Sequence, residues 1–252
     1  MTDITIVMAT YRQAKWLGEA IESLLKQKEC IEHIIIEGVQ SDLETIELVM
    51  AYLNSSERMT FSAGYSDKAN LWEQRQWGLR EMRLDVKSPY LSFFDSDDVM
   101  LPGWLDRGLK VAEEISSRGK IPIVGPSYRM VDEKLNPIQD VILPEFSMDK
   151  MMNGCIIPDF SITKTENLRI AFEAGCKVAR ELFAPQYSCY CTWLEMLKRF
   201  DCEVKLLPEI GFLYRQHHGG MHNRFKRSKR ASRRNVETIR KIARHYFPEG
   251  VR

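Results

Sequence analysis

The chain predicts an α/β protein with a mostly parallel, Rossmann-like central sheet flanked by helices. Three observations predict it. Short β-branched runs alternate with stretches of helical periodicity through the first 119 residues. Those stretches are long enough to return the chain for a parallel neighbour through a right-handed crossover. Polar and acidic residues gather where the strands end, the place where open α/β sheets bind ligands. With 252 residues, 44% hydrophobic and 28% charged, the chain has the composition of a globular protein and length for a large core.

In order, Ile4 to Met8 reads as a buried strand ending at Ala9-Thr10-Tyr11-Arg12. Trp16, Leu17, Ala20, Ile21, Leu24 and Leu25 then share one face of a helix. Ile31 to Ile36 forms the second strand, ends in Glu37-Gly38, and is followed by a helix through Leu53 that Asp42 caps. Met59 to Ser62 is a short third strand, and a helix carrying Trp72, Leu79 and Met82 leads to the fourth. A further helix runs from Trp104 to about Ser117.

The fourth strand delivers the chain's most informative feature, Phe93-Phe94-Asp95-Ser96-Asp97-Asp98. Side chains alternate along an extended segment, so Asp95 and Asp97 point the same way. Two hard oxygen donors side by side suit a divalent cation that keeps positions open for phosphate oxygens. The same residues also suit an Asp-rich turn that caps the next helix, and spacing alone does not choose between them.

The second half changes character. Ile121–Val124 and Tyr128–Val131 read as strands, with a turn at Asn136-Pro137. Helices are expected around Met148–Met152, Glu166–Ala174 and Tyr187–Phe200, and strands at Val204–Leu207 and Gly211–Arg215. No linker separates the halves. The expected organisation is one unit over 1–222, with a nucleotide-binding half (1–119) and an acceptor half (120–222), followed by a basic helical tail over 223–252.

These residues carry a resemblance. Ala9-Thr10-Tyr11-Arg12 with Ala20-Ile21-Glu22-Ser23-Leu24 and Gln27 resembles the opening of family 2 glycosyltransferases of the GT-A fold. Ile36-Glu37-Gly38-Val39-Gln40-Ser41-Asp42, Gln74-Arg75-Gln76-Trp77-Gly78-Leu79, Phe94-Asp95-Ser96-Asp97-Asp98 with Leu101-Pro102-Gly103, and Leu213-Tyr214-Arg215-Gln216-His217 are similar to later motifs of that family, in its order. The resemblance implies an inverting, metal-dependent hexosyltransferase with a DXD motif. Asp95, Asp97 and His217 would hold Mn2+ or Mg2+. Thr10, Tyr11, Arg12, Glu37, Asp67, Arg75, Asp95 and Ser96 would bind the nucleotide-sugar donor, a UDP-sugar by default. The acceptor would be a saccharide or a lipid-linked sugar, as in polysaccharide biosynthesis.

The chain also departs from the family pattern. Glu37 and Gln76 stand where the family carries Asp and Asn, one carbon shorter. The family's acidic pair, whose carboxylate acts as general base, is matched by Gln186-Tyr187-Ser188-Cys189-Tyr190-Cys191-Thr192-Trp193, which holds no acid. Glu181 and Glu195 are the nearest candidates in sequence, with Asp159 a third; each Glu also reads as a solvated helix charge. Ser188 and Cys189 read either as acceptor contacts or as polar surface.

Net charge is +1, so nothing global points to nucleic acid, and no base-reading module accompanies the basic residues. Those residues concentrate at Arg224 to Arg234, which holds seven of them. That run suits a flap over a diphosphate, attraction to anionic lipid, a solvated helix face or, last in order, nucleic-acid contact. Six cysteines without a CxxC pair and without a secretory leader read as reduced thiols of a cytoplasmic protein, with a place at the inner face of a membrane left open. His217, His218 and His222 lack the partners of a zinc site.

Overall fold

The structure, a computed structural model, describes residues 3–27, 30–38, 42–54, 59–62, 75, 78–79, 88–217 and 229–249. Strand β1 (Ile4–Thr10) leads into α1 (Ala14–Leu25), β2 (Ile31–Gly38), α2 (Leu43–Leu53) and β3 (Met59–Ser62). Then come β4 (Tyr90–Asp95), the short β5 (Val99–Met100) and α3 (Trp104–Ser117). The second half contributes β6 (Ile121–Val131), β7 (Pro137–Val141), α4 (Met148–Asn153), β8 (Ile162–Lys164) and α5 (Thr165–Leu182). A 3-10 turn at Pro185–Tyr187 precedes α6 (Ser188–Arg199), β9 (Cys202–Arg215) and α7 (Lys229–Tyr246).

One sheet crosses both halves in the order β3-β2-β1-β4-β8-β6-β9-β5, with β7 paired to β6. Pairings among β3, β2, β1 and β4 are parallel, as is β6 with β9. The strand β8 is inserted antiparallel between β4 and β6. It pairs antiparallel with Tyr90 and Leu91 at the start of β4, so the residues just before β8 lie toward the carboxyl end of β4. This inserted strand mixes the directions of the second half and decides what stands opposite the aspartates.

The period-2 alternation of the strands sorts the core into two faces. Ile4, Ile6, Met8 and Phe94 pack under Leu17 and Ile21 of α1 and Leu105 and Leu109 of α3. Val7, Leu91 and Phe93 face the other way, onto Phe172 of α5, Trp193 of α6 and Ile242 of α7. The α5–α6 contact is close because Gly175 carries no side chain: a Cβ there would stand 2.6 Å from the Thr192 nitrogen.

Asp42 caps α2 as expected, its carboxylate accepting the Thr45 N–H at 3.0 Å. Leu79 is buried on the second face, whereas Trp72 and Met82 fall outside the described residues. Two pairs of expected strands are each one strand. Tyr128–Val131 continues Ile121–Val124, and Gly211–Arg215 continues Val204–Leu207. Gly125-Pro126 and Pro208 look like breaks in sequence, but the paired strands absorb them as register shifts around Pro126 to Tyr128.

Candidate active site

The site forms where β1, β2 and β4 end together: Ala9 stands level with Glu37 on one side and Asp95 on the other. Beyond Asp95 the chain turns, the Asp98 N–H reaching the Asp95 carbonyl at 3.3 Å. Carboxylate oxygens of Asp95, Asp97 and Asp98 lie within 4.8 Å of one another. Two residues of α1 brace the segment that follows. The Ser23 hydroxyl accepts the Met100 N–H and the Gln27 amide oxygen accepts the Leu105 N–H, each at 3.0 Å. Both belong to the opening motif, whose spacing therefore serves to hold the acidic turn.

Strand β9 closes the turn from the other side. Val99 and Met100 pair antiparallel with Leu213 and Phe212, which brings the chain end of β9 over the aspartates. The Nε2 of His217 lies 2.8 Å from the Asp97 carboxylate. Buried Arg215 ties the turn down through its own N–H to Asp98 (2.9 Å) and its Nε–H to the Asp97 carbonyl (2.7 Å). Its guanidinium also lies over the Trp16 ring at 4.4 Å and pairs with Glu19. The sequence reading included Arg215 in a motif but gave it no role; a cationic residue two positions before His217 was the available signal.

Charge is concentrated here. Burial pushes the Asp95 carboxyl up to about 6, with Asp97 and Asp159 adding to the rise and Arg75 opposing it. Burial also holds Asp98 well above the usual carboxylate range, helped by Asp97 and Asp95. The Asp98 Oδ2 is buried with no hydrogen-bond partner among the described residues. Three crowded carboxylates with an unsatisfied oxygen fit a divalent cation by charge and by donor type.

On the flank facing the second half stands Arg75. Its side chain is 0% exposed and donates one nitrogen to Asp95 and the other to Asp159, both at 2.7 Å. Phe93 packs beneath, 4.8 Å from guanidinium carbon to ring centre. Burial works against the charge of Arg75, but Asp159 and Asp95 outweigh it and raise its pKa. Asp159 lies three residues before β8, and its second oxygen accepts a hydrogen bond from the Cys189 thiol on α6. Contact with Cys155, burial and the Asp159 charge keep that thiol well above its ordinary value, so it stays neutral.

The remaining sequence candidates are distributed as follows. Thr10 is buried at the end of β1, and its hydroxyl has no partner among the described residues. Tyr11 is exposed beside it, with Arg12 over its ring at 5.3 Å and in the left-handed backbone region at φ 52°. Ser96 is buried in the turn. Glu37 ends β2, but its side chain, like the whole of Asp67, lies outside the described residues. Glu181 is exposed near the end of α5, away from every contact of the acidic turn that the structure records. Glu195 is buried against Arg199, Cys191 and Tyr246. It sits about 120° around the helix from Cys189, because six residues advance an α-helix by about 600°, that much short of two turns.

Residues 5–178 match the model of the family described as Glycosyl transferase family 2. The chain belongs to that family. The fold agrees, being that of the GT-A glycosyltransferases. The S. aureus TarS 1-349 structure in complex with UDP is similar with a TM-score of 0.61 at 14% identity, covering 99% of this chain and 66% of that one. The same protein in complex with UDP-GlcNAc gives 0.61 at 14%, over 88% and 61%. An uncharacterized glycosyltransferase of Rickettsia felis (strain ATCC VR-1525 / URRWXCal2) is 22% identical over 147 residues, which cover 56% of this chain and 23% of that protein. This family 2 chain thus spans less than two thirds of both relatives.

Proposed function

We propose that this family 2 protein transfers a hexosyl group from a nucleotide-sugar donor to an acceptor hydroxyl, with inversion. The observation that carries this reading is the trio Asp95, Asp97 and Asp98 within 4.8 Å, at the carboxyl end of β4. Asp95 and Asp97 would hold Mn2+ or Mg2+, with His217 beside Asp97 completing the site. Such a cation would neutralise the donor diphosphate and the charge that develops as it leaves. Arg75 fixes Asp95 from behind, and Arg215 fixes the turn that carries Asp97. The unpartnered Thr10 hydroxyl, Tyr11, Arg12, Glu37, Asp67 and Ser96 are assigned to the base and ribose. UDP is the favoured nucleotide, in keeping with the UDP and UDP-GlcNAc complexes of TarS.

The acceptor is proposed to be a saccharide or lipid-linked sugar in polysaccharide synthesis at the cytoplasmic face of a membrane. Residues 1–222 would form the transferase unit and the basic tail over 223–252 would meet anionic lipid. Among the described residues no helix is long and apolar enough to cross a membrane. A second reading, a donor-binding protein with weak turnover, is favoured by the absence of a carboxylate on α6 between Ser188 and Trp193.

Calorimetric titration with UDP, GDP and dTDP, each with and without Mn2+, tests the first reading. One nucleotide should bind, and binding should vanish without Mn2+. No binding of any of the three would sink both readings; binding without release of nucleotide from any sugar donor would favour the second.

A further inference from the structure

Resting on that transfer reading, we infer that Asp159 is the general base, moved from the acceptor helix to the segment before β8. The stretch that matches the family's acidic pair, Gln186 to Trp193 at the start of α6, holds no acid here, and Cys189 lies within it. The structure brings Asp159 against that same position, its Oδ1 accepting the Cys189 thiol. A segment outside the helix thus brings a carboxylate to the stretch where the family pattern leads one to expect it.

The local geometry suits the role. Arg75 grips Asp159 Oδ2 and Asp95 with the two arms of one buried guanidinium. The acceptor-side carboxylate is thereby held at a fixed separation from the proposed donor site, as in-line attack requires. The Asp159 side chain is 23% exposed, so its carboxylate is open to solvent. Among the described residues its Oδ1 is engaged only by a thiol, a weak donor that a hydroxyl can displace.

A cavity of about 190 Å³ adjoins Cys189, lined by Cys155, Gln186, Tyr187, Tyr190 and Asn235. Aromatic faces with side-chain amides are the chemistry that holds a sugar ring and its hydroxyls. Glu181 and Glu195 do not compete for the role, one exposed on α5 and the other held by Arg199.

In the step itself, the acceptor oxygen forms a bond to the anomeric carbon as its proton passes to Asp159 Oδ1. The bond from the anomeric carbon to the diphosphate oxygen breaks, and its electron pair leaves with the nucleotide.

The experiment measures nucleotide release from UDP-GlcNAc and from a panel of UDP-, GDP- and dTDP-sugars in Mn2+, with water as acceptor. Wild type, Asp159→Asn and Asp159→Asn/Cys189→Asp are compared, with nucleotide affinity measured in parallel. Asp159→Asn should lower kcat about 100-fold or more, leaving KM and nucleotide affinity within about twofold. Returning a carboxylate to the helix through Cys189→Asp should recover at least about tenfold of that loss. Turnover by Asp159→Asn within about threefold of wild type overturns the assignment. So does a loss matched by equal loss of nucleotide affinity, or no recovery in the double variant. A wild type that turns over no donor overturns the transfer reading, and this assignment with it.

Discussion

Asp95 and Asp159 grip the same guanidinium, yet they are built in opposite ways. Asp95 stands in a contiguous acidic turn after a hydrophobic strand, and its neighbours in space are largely its neighbours in sequence. Asp159 meets Arg75 across 84 positions and Cys189 across 30, and no local pattern marks it. The first half of the site is a motif, and the second is an encounter between elements. Motif positions tolerate little change because their geometry is local. An encounter can be rebuilt with different residues, provided that the elements still meet.

The strongest way to break this contrast is to remove the residue the two sides share. Arg75→Ala leaves two carboxylates facing each other across a buried gap; both are about a quarter exposed, so the cost is set below that of a fully buried pair. We expect a loss of about 3 kcal/mol, seen as a Tm lower by roughly 6–12 °C. Arg75→Lys should recover only part of it, since an ammonium cannot reproduce the fork. On the motif side, Asp97→Ala should weaken Mn2+-dependent nucleotide binding about 100-fold in calorimetry. Unchanged affinity would remove Asp97 from the site.

On the encounter side, Gly175→Ala would drive a methyl against the backbone of Cys191 and Thr192. Separating α5 from α6 there should cost about 2 kcal/mol in chemical denaturation and disturb the Cys189–Asp159 contact. A smaller effect distinguishes Asp95 by pH. Its folded value of about 6 exceeds the ordinary 3.8, so its contribution is most favourable below about pH 4 and is lost as pH rises through 6. Without metal, Asp95→Asn should therefore gain about 1–2 kcal/mol relative to wild type between those limits. Added Mn2+ should flatten the trend. A difference that does not vary with pH would contradict the burial cause. Least affected should be Glu181→Gln and Glu195→Gln, with kcat within about twofold of wild type in the donor-release assay. A larger drop in either would return the base to the helices.

Much of the fold was legible because strand and helix periods repeat over a few residues. The strands of the first half, the Asp42 cap and the helix Trp104–Ser117 all follow from that. The two long strands β6 and β9 were read as pieces, since Pro and Gly interrupt a propensity pattern more than they interrupt a paired strand. In the site, Asp95, Asp97 and His217 were named from motifs, and the structure brings them together. Arg75 was named for the diphosphate, and in the structure its guanidinium holds Asp95 and Asp159. Glu181 and Glu195 were base candidates from sequence, and the structure puts one exposed near the end of α5 and the other against Arg199.

By itself, the sequence determined the alternation of strands and helices and the acidic turn at the end of β4. Those depend on side-chain periodicity and on residues a few positions apart. Only the tertiary structure decided that Asp159 faces Cys189 and shares Arg75 with Asp95. That outcome depends on β8 entering antiparallel between β4 and β6. Strand order is set by packing across the whole sheet, and no stretch of chain a few residues long contains it.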